Sequence, residues 1–192
     1  MARPQEFDTG DTLYKVLGIF WRKGYEATSM ADVLRATGLS KSSLYGTFGG
    51  KRDLFLAAFD LYREDREREL NLVLGQGTAR EAIERYFRLI IADAGRREFA
   101  NGCMSINQAV ELAPHDPDVR RRVQDDFNFM ERAFVATIAR GQDEGSVSTS
   151  KSPVDLAHLL MISFPGFQVM MRAEMGADWL ERALGSLLSK LD

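Results

Sequence analysis

Residues 29–51, SMADVLRATGLSKSSLYGTFGGK, constrain the fold of this chain more than any other stretch. Ser29 is a good helix N-cap, and Asp32, three residues on, can reach back to the cap backbone, which is the capping-box spacing. Met30, Val33 and Leu34 then fall on one helical face. Gly38 stands where the chain has to leave that helix, and glycine accepts the left-handed conformation that such an exit often uses. Ser40 caps a second helix, whose Leu44 and Phe48 point inward. The spacing predicts two short helices across a tight turn.

The outer side of the second helix is left with Lys41, Ser42, Ser43, Tyr45 and Thr47. Short hydroxyls, one phenol and one cation can enter a major groove without steric conflict, donating to phosphates or base edges. Lys51 follows at the start of the next helix. The pattern is a helix-turn-helix with the second helix as reader. Ser29, Thr47 and Lys51 are placed to hold phosphates. Lys41, Ser43 and Tyr45 are placed for base edges or the groove wall.

The run GLSKSSLYGTFGGKRDLF resembles the recognition-helix signature of TetR-type transcriptional repressors. In that family a short reader helix ends in Leu-Tyr-x-x-Phe and runs into a Lys-led long helix. The resemblance covers residues 7–61, about a third of the chain, and its Leu-Tyr-x-x-Phe-x-x-Lys run is specific. Gly46 departs from the pattern, which carries a larger side chain there. The resemblance implies a small DNA-binding head, a helical body that dimerises and holds an effector, and a fourth helix linking the two.

Charge distribution agrees with a head that meets phosphates. Residues 1–55 hold eight Lys/Arg against six Asp/Glu, whereas the rest hold seventeen against twenty-two, so a slightly basic head sits on an acidic body. One cysteine allows no intramolecular disulfide, which suits a reducing cytoplasm. MARPQEFDTG has no apolar core of a signal peptide. The most apolar stretch, residues 159–171, is interrupted by Ser163, Pro165, Gly166 and Gln168, and is expected not to span a bilayer.

Along the chain, Leu13, Val16, Leu17, Phe20 and Trp21 give a first amphipathic helix stopped by Gly24. A fourth helix begins at Leu54 and Phe55, turns polar through REDREREL and ends at Gly75 and Gly77. Thr78 and Glu81 form another capping box before a core stripe closed by Gly95. Asp116-Pro117 starts a long helix, which Gly141 and Gly145 close. Ser152-Pro153 starts a helix that is apolar nearly all round, so it is buried on more than one side. Trp179 to Leu191 form a last amphipathic helix. No stretch alternates with strand period. The expected fold is all-α with about nine helices: residues 1–50 form a three-helix DNA-binding head, and residues 51–192 an effector-binding and dimerisation body.

Candidate sites in the body are less sharply defined. Cys103 has two open readings. One is a small buried hydrophobe. The other is a sensor thiol near a helix start, where peptide dipoles favour a thiolate and Arg96 and Arg97 precede it. The Asn-Gly-Cys segment resembles TetR-type regulators that respond to electrophiles or oxidants through such a cysteine. Met104, Phe127, Met130 and Phe134 could line an adaptable apolar cavity, with Asn107 or Gln108 as polar anchor, for a small apolar or aromatic effector. Residues 152–172 and 178–191 are expected to form a four-helix dimer interface through Leu160, Phe164, Phe167, Met171, Leu184 and Leu188.

Catalytic and cofactor chemistry has no support in the sequence. Gly50-Lys51 superficially matches the end of a phosphate-binding loop, but Arg52 stands where Ser or Thr is required and Tyr45 where the first glycine is required. There is no G-x-S-x-G, and His115 and His158 lack metal-ligand spacing. The helix-turn-helix residues, with what the resemblance implies, lead to the expectation of a ligand-responsive homodimeric repressor of palindromic operator DNA, with no enzymatic activity, cofactor, metal or membrane partner. The competing expectation is an all-helical ligand carrier or scaffold whose helix-turn-helix is only structural; the outward polar row of the second helix argues against it.

Overall fold

Most helices of this protein begin where a short side chain takes up the first free backbone amides. The computed structural model describes residues 7–92 and 101–192, and among these residues there are nine helices and no strand. Asp8 accepts from the amides of Gly10 and Asp11 and opens α1 (Thr9–Lys23), which Gly24 ends at φ +80°. Ser29 and Asp32 form the predicted reciprocal box at the start of α2 (Met30–Thr37), and Gly38 ends it in the left-handed region. Ser40 Oγ accepts from the Ser43 amide and opens α3 (Lys41–Phe48). Each such cap satisfies an amide that would otherwise lack a partner.

The fourth helix, α4 (Lys51–Leu74), runs from the head into the body. Its buried face carries Leu54, Phe55, Ala58, Phe59 and Tyr62 near the head and Leu70, Val73 and Leu74 at the far end. Thr78 and Glu81 make their predicted reciprocal bonds at the start of α5 (Ala79–Ala92). The body continues with α6 (Met104–Glu111), α7 (Pro117–Asp143), α8 (Pro153–Arg172) and α9 (Ala177–Leu188). The expected stop at Gly95, and Arg96 and Arg97, lie outside the described residues.

Head and body share one continuous apolar core. In the head, Phe20, Tyr25 and Phe55 meet edge to face or stacked, and Phe55 passes the contact to Phe59 and Tyr62 along α4. In the body, Tyr86, Phe87, Phe134, Phe164 and Phe167 join α5, α7 and α8. Aromatic pairs of this kind add specific geometry to the area they bury.

Polar ties clasp α4 to α7 beside that core. Arg52 donates twice to the Asp116 carboxylate, at 3.0 Å each, and once to Asp118 at 2.7 Å. Arg122 donates to both oxygens of Asp60, at 2.8 and 3.0 Å. Bidentate guanidinium–carboxylate pairs fix direction as well as distance. Asp116 also caps α7 by accepting from the amides of Asp118 and Val119.

One sequence expectation is corrected here. Gly141 does not end α7, which continues to Asp143; Gly145, at φ +78°, follows it. Gly141 is glycine for a packing reason, since a Cβ there would lie 2.5 Å from Val147 Cγ2 and 2.7 Å from Ala79 Cβ. The apolar stretch around Pro165 carries its interruptions within a continuous helix. It belongs to one 20-residue helix, long and apolar enough by length and composition to cross a membrane. Ser163 turns its hydroxyl back onto the Leu159 carbonyl at 2.7 Å, so it costs the helix no exposed polar group. The inner residues Leu156, Leu160, Phe164 and Phe167 are buried in the protein core.

Candidate nucleic-acid interface and body cleft

The reader helix turns Leu44 and, partly, Phe48 inward and leaves the rest out. Leu44 is its only buried residue, at 1% exposure. Lys41, Ser42, Tyr45 and Thr47 are exposed, and Ser43 is half-buried. The Lys41 ammonium lies 5.6 Å from the centre of the Tyr45 ring, so cation and phenol form one unit on the outer face. Ser42 and Ser43 hydroxyls lie 3.0 and 2.8 Å from Ser40 Oγ, a short hydroxyl cluster at the helix start. Gly46 has open space around its Cα, which leaves a gap in that face.

Lys51 is half-buried at the first position of α4, with its ammonium 4.2 Å from the centre of the Tyr25 ring. The ring holds the cation beside the reader. Ser29 is exposed, but its hydroxyl donates to Asp32 at 2.8 Å and accepts the Asp32 amide at 3.1 Å, so the cap already occupies it. Lys23 and Ser29 hold the Asp32 carboxyl below its ordinary pKa. Tyr25 was missed in the sequence, where it reads only as a lead-in to the helix-turn-helix. Its role depends on Lys51, twenty-six residues away in the chain.

A cleft of about 590 Å³ opens between α1 on one side and α6 and α8 on the other. Cys103 and Asn107, both expected at an effector site, line it. Met104 and Phe134 are fully buried, Met130 nearly so and Phe127 partly; none of the four lines this cleft. Phe134 is stacked on Phe87 within the core. Gln108, the alternative polar anchor, lines it as well, and the cleft is completed by Trp21, Val169 and Arg172, among others. Trp21 Nε1 donates to the Gly102 carbonyl at 2.8 Å, and the Glu26 amide donates to Glu111 Oε1 at 3.0 Å; both bonds cross from head to body.

Cys103 caps α6 and is buried. Tyr62 donates its phenolic hydrogen to Cys103 Sγ at 3.4 Å and accepts the Met104 amide at 3.1 Å. Burial pushes the Cys103 thiol up, against the pull of the Tyr62 hydrogen bond and the nearby amide of Ile106. The helix start is present, as expected, but desolvation outweighs its preference for a thiolate. A second, inner chamber of about 40 Å³ adjoins Cys103 and is lined by Tyr62, Arg66 and Tyr86.

The six residues expected at a dimer interface, Leu160, Phe164, Phe167, Met171, Leu184 and Leu188, are buried within the protomer. Of these, only Phe167 also reaches an open apolar groove of about 570 Å³ between α8 and α9. The outward faces of the two helices carry Leu159, Ile162, Val169, Met170, Trp179 and Ala183, with Ile162 80% exposed. His158 is exposed and pairs with Glu131 at 3.0 Å, and His115 is exposed.

Comparison with known proteins covers both halves of the chain. Residues 17–58 match the family model described as bacterial regulatory proteins, tetR family, and residues 79–187 match tetracyclin repressor-like, C-terminal domain. An uncharacterised HTH-type transcriptional regulator of Bacillus subtilis, YezE, is 32% identical over the full length of both chains. The HTH-type transcriptional repressor ComR of Escherichia coli is 29% identical over 97% of this chain and 90% of its own. Among solved structures, a cysteine mutant of the regulator CifR, complexed with a 26 bp double-strand operator DNA, superposes with a TM-score of 0.86 at 27% identity, covering 99% of this chain and all of that one.

Proposed function

This chain belongs to the TetR family of bacterial transcriptional regulators, and from that premise we propose that it is a repressor that binds palindromic operator DNA as a homodimer and is released by a small effector. The observation that carries the reading is α3 itself. A helix with one buried side chain and an outer face of Lys41, Ser42, Ser43, Tyr45 and Thr47 has no use for that face within the protomer.

Residues 1–50 act as the DNA-binding head and residues 51–192 as the effector-binding and dimerisation body, working in the cytoplasm without a membrane partner. Lys51, held by Tyr25, and Thr47 contact phosphates; Lys41, Ser43 and Tyr45 face the base edges or the groove wall. Ser29 contributes through its cap, which fixes the angle of α2, more than through a free hydroxyl.

Dimerisation follows from the contact arithmetic of one short reader. Two heads on a two-fold site double the contacts and bring half-sites about one DNA turn apart, roughly 34–36 Å. The outward faces of α8 and α9 supply the apolar surface for it. An effector releases the operator only by preferring a state with a different reader spacing. The neutral, buried thiol favours a reversible ligand over an electrophile that reacts with Cys103.

The test is a gel shift at moderate salt with the DNA upstream of the protein's own gene. Specific retention of that fragment, competed by itself and not by unrelated DNA, is the expected result. Equal retention of both would reduce the helix-turn-helix to a structural element.

A further inference from the structure

Gln108 is the one cleft-lining side chain that is both deeply buried and left with an unanswered polar atom. It is 1% exposed, and its Nε2 donates to Glu111 Oε2 at 3.2 Å, which fixes the amide orientation. Its Oε1 has no hydrogen-bond partner among the described residues. A buried acceptor without a donor costs free energy until something supplies one. The residue lines the cleft between α1, α6 and α8, whose 590 Å³ falls within the range of small-molecule sites.

The rest of the lining restricts what can fill it. Trp21 and Val169 offer flat apolar surface, and Arg22 and Arg172 bring two cations. Arg172 Nη1 donates to the amide oxygen of Asn107 at 2.8 Å, and a neutral acceptor does not neutralise the guanidinium. Glu111 is the carboxylate of the lining, and it is engaged by the Glu26 amide and by Gln108. The site presents an apolar platform, cations and one buried acceptor.

We infer that this head–body cleft is the effector site and takes an aromatic carboxylate bearing a hydroxyl or N–H donor. The ring lies against Trp21 and Val169, the carboxylate meets Arg172 and Arg22, and the donor reaches Gln108 Oε1. The inference deepens the repressor reading and rests on it for its regulatory part. The inner chamber beside Tyr86 is too small for a ring, at about 40 Å³.

The location explains how occupancy would reach the DNA. One wall is α1, which packs on α2 and α4 in the head, and the other wall is α6 and α8 in the body. The Trp21–Gly102 and Glu26–Glu111 bonds hold the two walls at one separation. A ligand that fits a wider separation pulls against both and shifts the head relative to the body.

The probe is 4-hydroxybenzoate, with benzoate lacking the donor and 4-hydroxybenzyl alcohol lacking the carboxylate. Trp179 is the only other tryptophan, so in a Trp179→Phe background the fluorescence reports on Trp21. Saturable quenching by 4-hydroxybenzoate is expected, with each comparator about tenfold weaker, the scale of one hydrogen bond to a charged or buried partner. Gln108→Leu should erase the preference over benzoate, and Arg172→Gln the preference over the alcohol. Arg172 is exposed, so its variant carries the test if Gln108→Leu fails to fold.

Absence of saturable quenching into the low millimolar range overturns the site, and equal affinity for all three compounds overturns the ligand class. Saturating 4-hydroxybenzoate should weaken retention of the operator, and binding without that effect overturns the effector assignment. If the unliganded protein retains no operator at all, the repressor reading fails, and the fluorescence titration still decides whether the cleft binds the probe.

Discussion

Two helices of this protein, α3 and α8, each carry a face that the protomer does not use, and the two faces differ in kind. On α3 the inner contacts are Leu44 and the partly buried Phe48, and the outer face is polar, with hydroxyls, a phenol and an ammonium. On α8 the inner row Leu156, Leu160, Phe164 and Phe167 is buried, while Leu159, Ile162 and Met170 form a second apolar row outside. Only the inner row of either helix is needed to fold the protomer. The chemistry of the outer row therefore points to what each helix meets: a hydrated polyanion for α3 and a dry protein surface for α8.

The largest effect should come from the inner row of α8. Phe164→Ala removes a fully buried ring that meets Tyr86, and it should cost about 3–5 kcal/mol, read as a lowered denaturation midpoint. A cost near zero would mean that α8 is not anchored by that face. Next, Ile162→Asp alters only the outer row. Sedimentation should show a shift from dimer to folded monomer at micromolar concentration, with helix content kept. A wild-type protein that is already a folded monomer at that concentration would contradict the comparison at its root.

On α3 the contrast concerns charge. Lys51→Ala, beside the reader, should weaken all DNA sequences alike and lower the salt slope of binding by about one unit. A changed base preference with an unchanged slope would move Lys51 from the phosphate backbone to the bases.

The smallest effect probes a polar group on the inside. Asp126 is 5% exposed, and burial raises its carboxyl pKa above the unfolded value. The folded state then binds more protons than the unfolded one between those two values, so stability falls as pH rises through that window. Asp126→Asn should raise the melting temperature at pH 7 and have little effect at a pH below the unfolded value of about 3.9. A lower melting temperature at pH 7 would show that the nearby Arg63 and Arg66 repay the carboxylate's burial.

The helix starts were legible in the sequence because capping chemistry is local. Ser29 with Asp32, Thr78 with Glu81, and Asp116 before Pro117 each sit within three residues of the amides they satisfy. The outward row of α3 was legible for the same reason, since one turn of helix decides which side chains follow Leu44 inside. Gly141 was misread because its glycine answers to Val147 and Ala79, not to its own helix. The six residues expected at an interface are buried within the protomer, because hydrophobicity marks both rows of α8 and does not say which one meets its own core. The cleft was legible only in part, through Cys103, Asn107 and Gln108. Trp21 and Gly102 are 81 residues apart, and Tyr62 looks like any other core position in a helical stripe.

Asp116 performs two tasks with one carboxylate, capping α7 and gripping Arg52, whereas Arg52 performs one. The pair is therefore unequal under genetic drift. A change at 116 is pleiotropic, since it frays a long helix at the same moment that it loosens the head. A change at 52 alters the coupling alone and leaves the scaffold intact. Among descendants of this protein, variation in how tightly the head follows the body should accumulate on the arginine side, with the aspartate held fixed by its other duty.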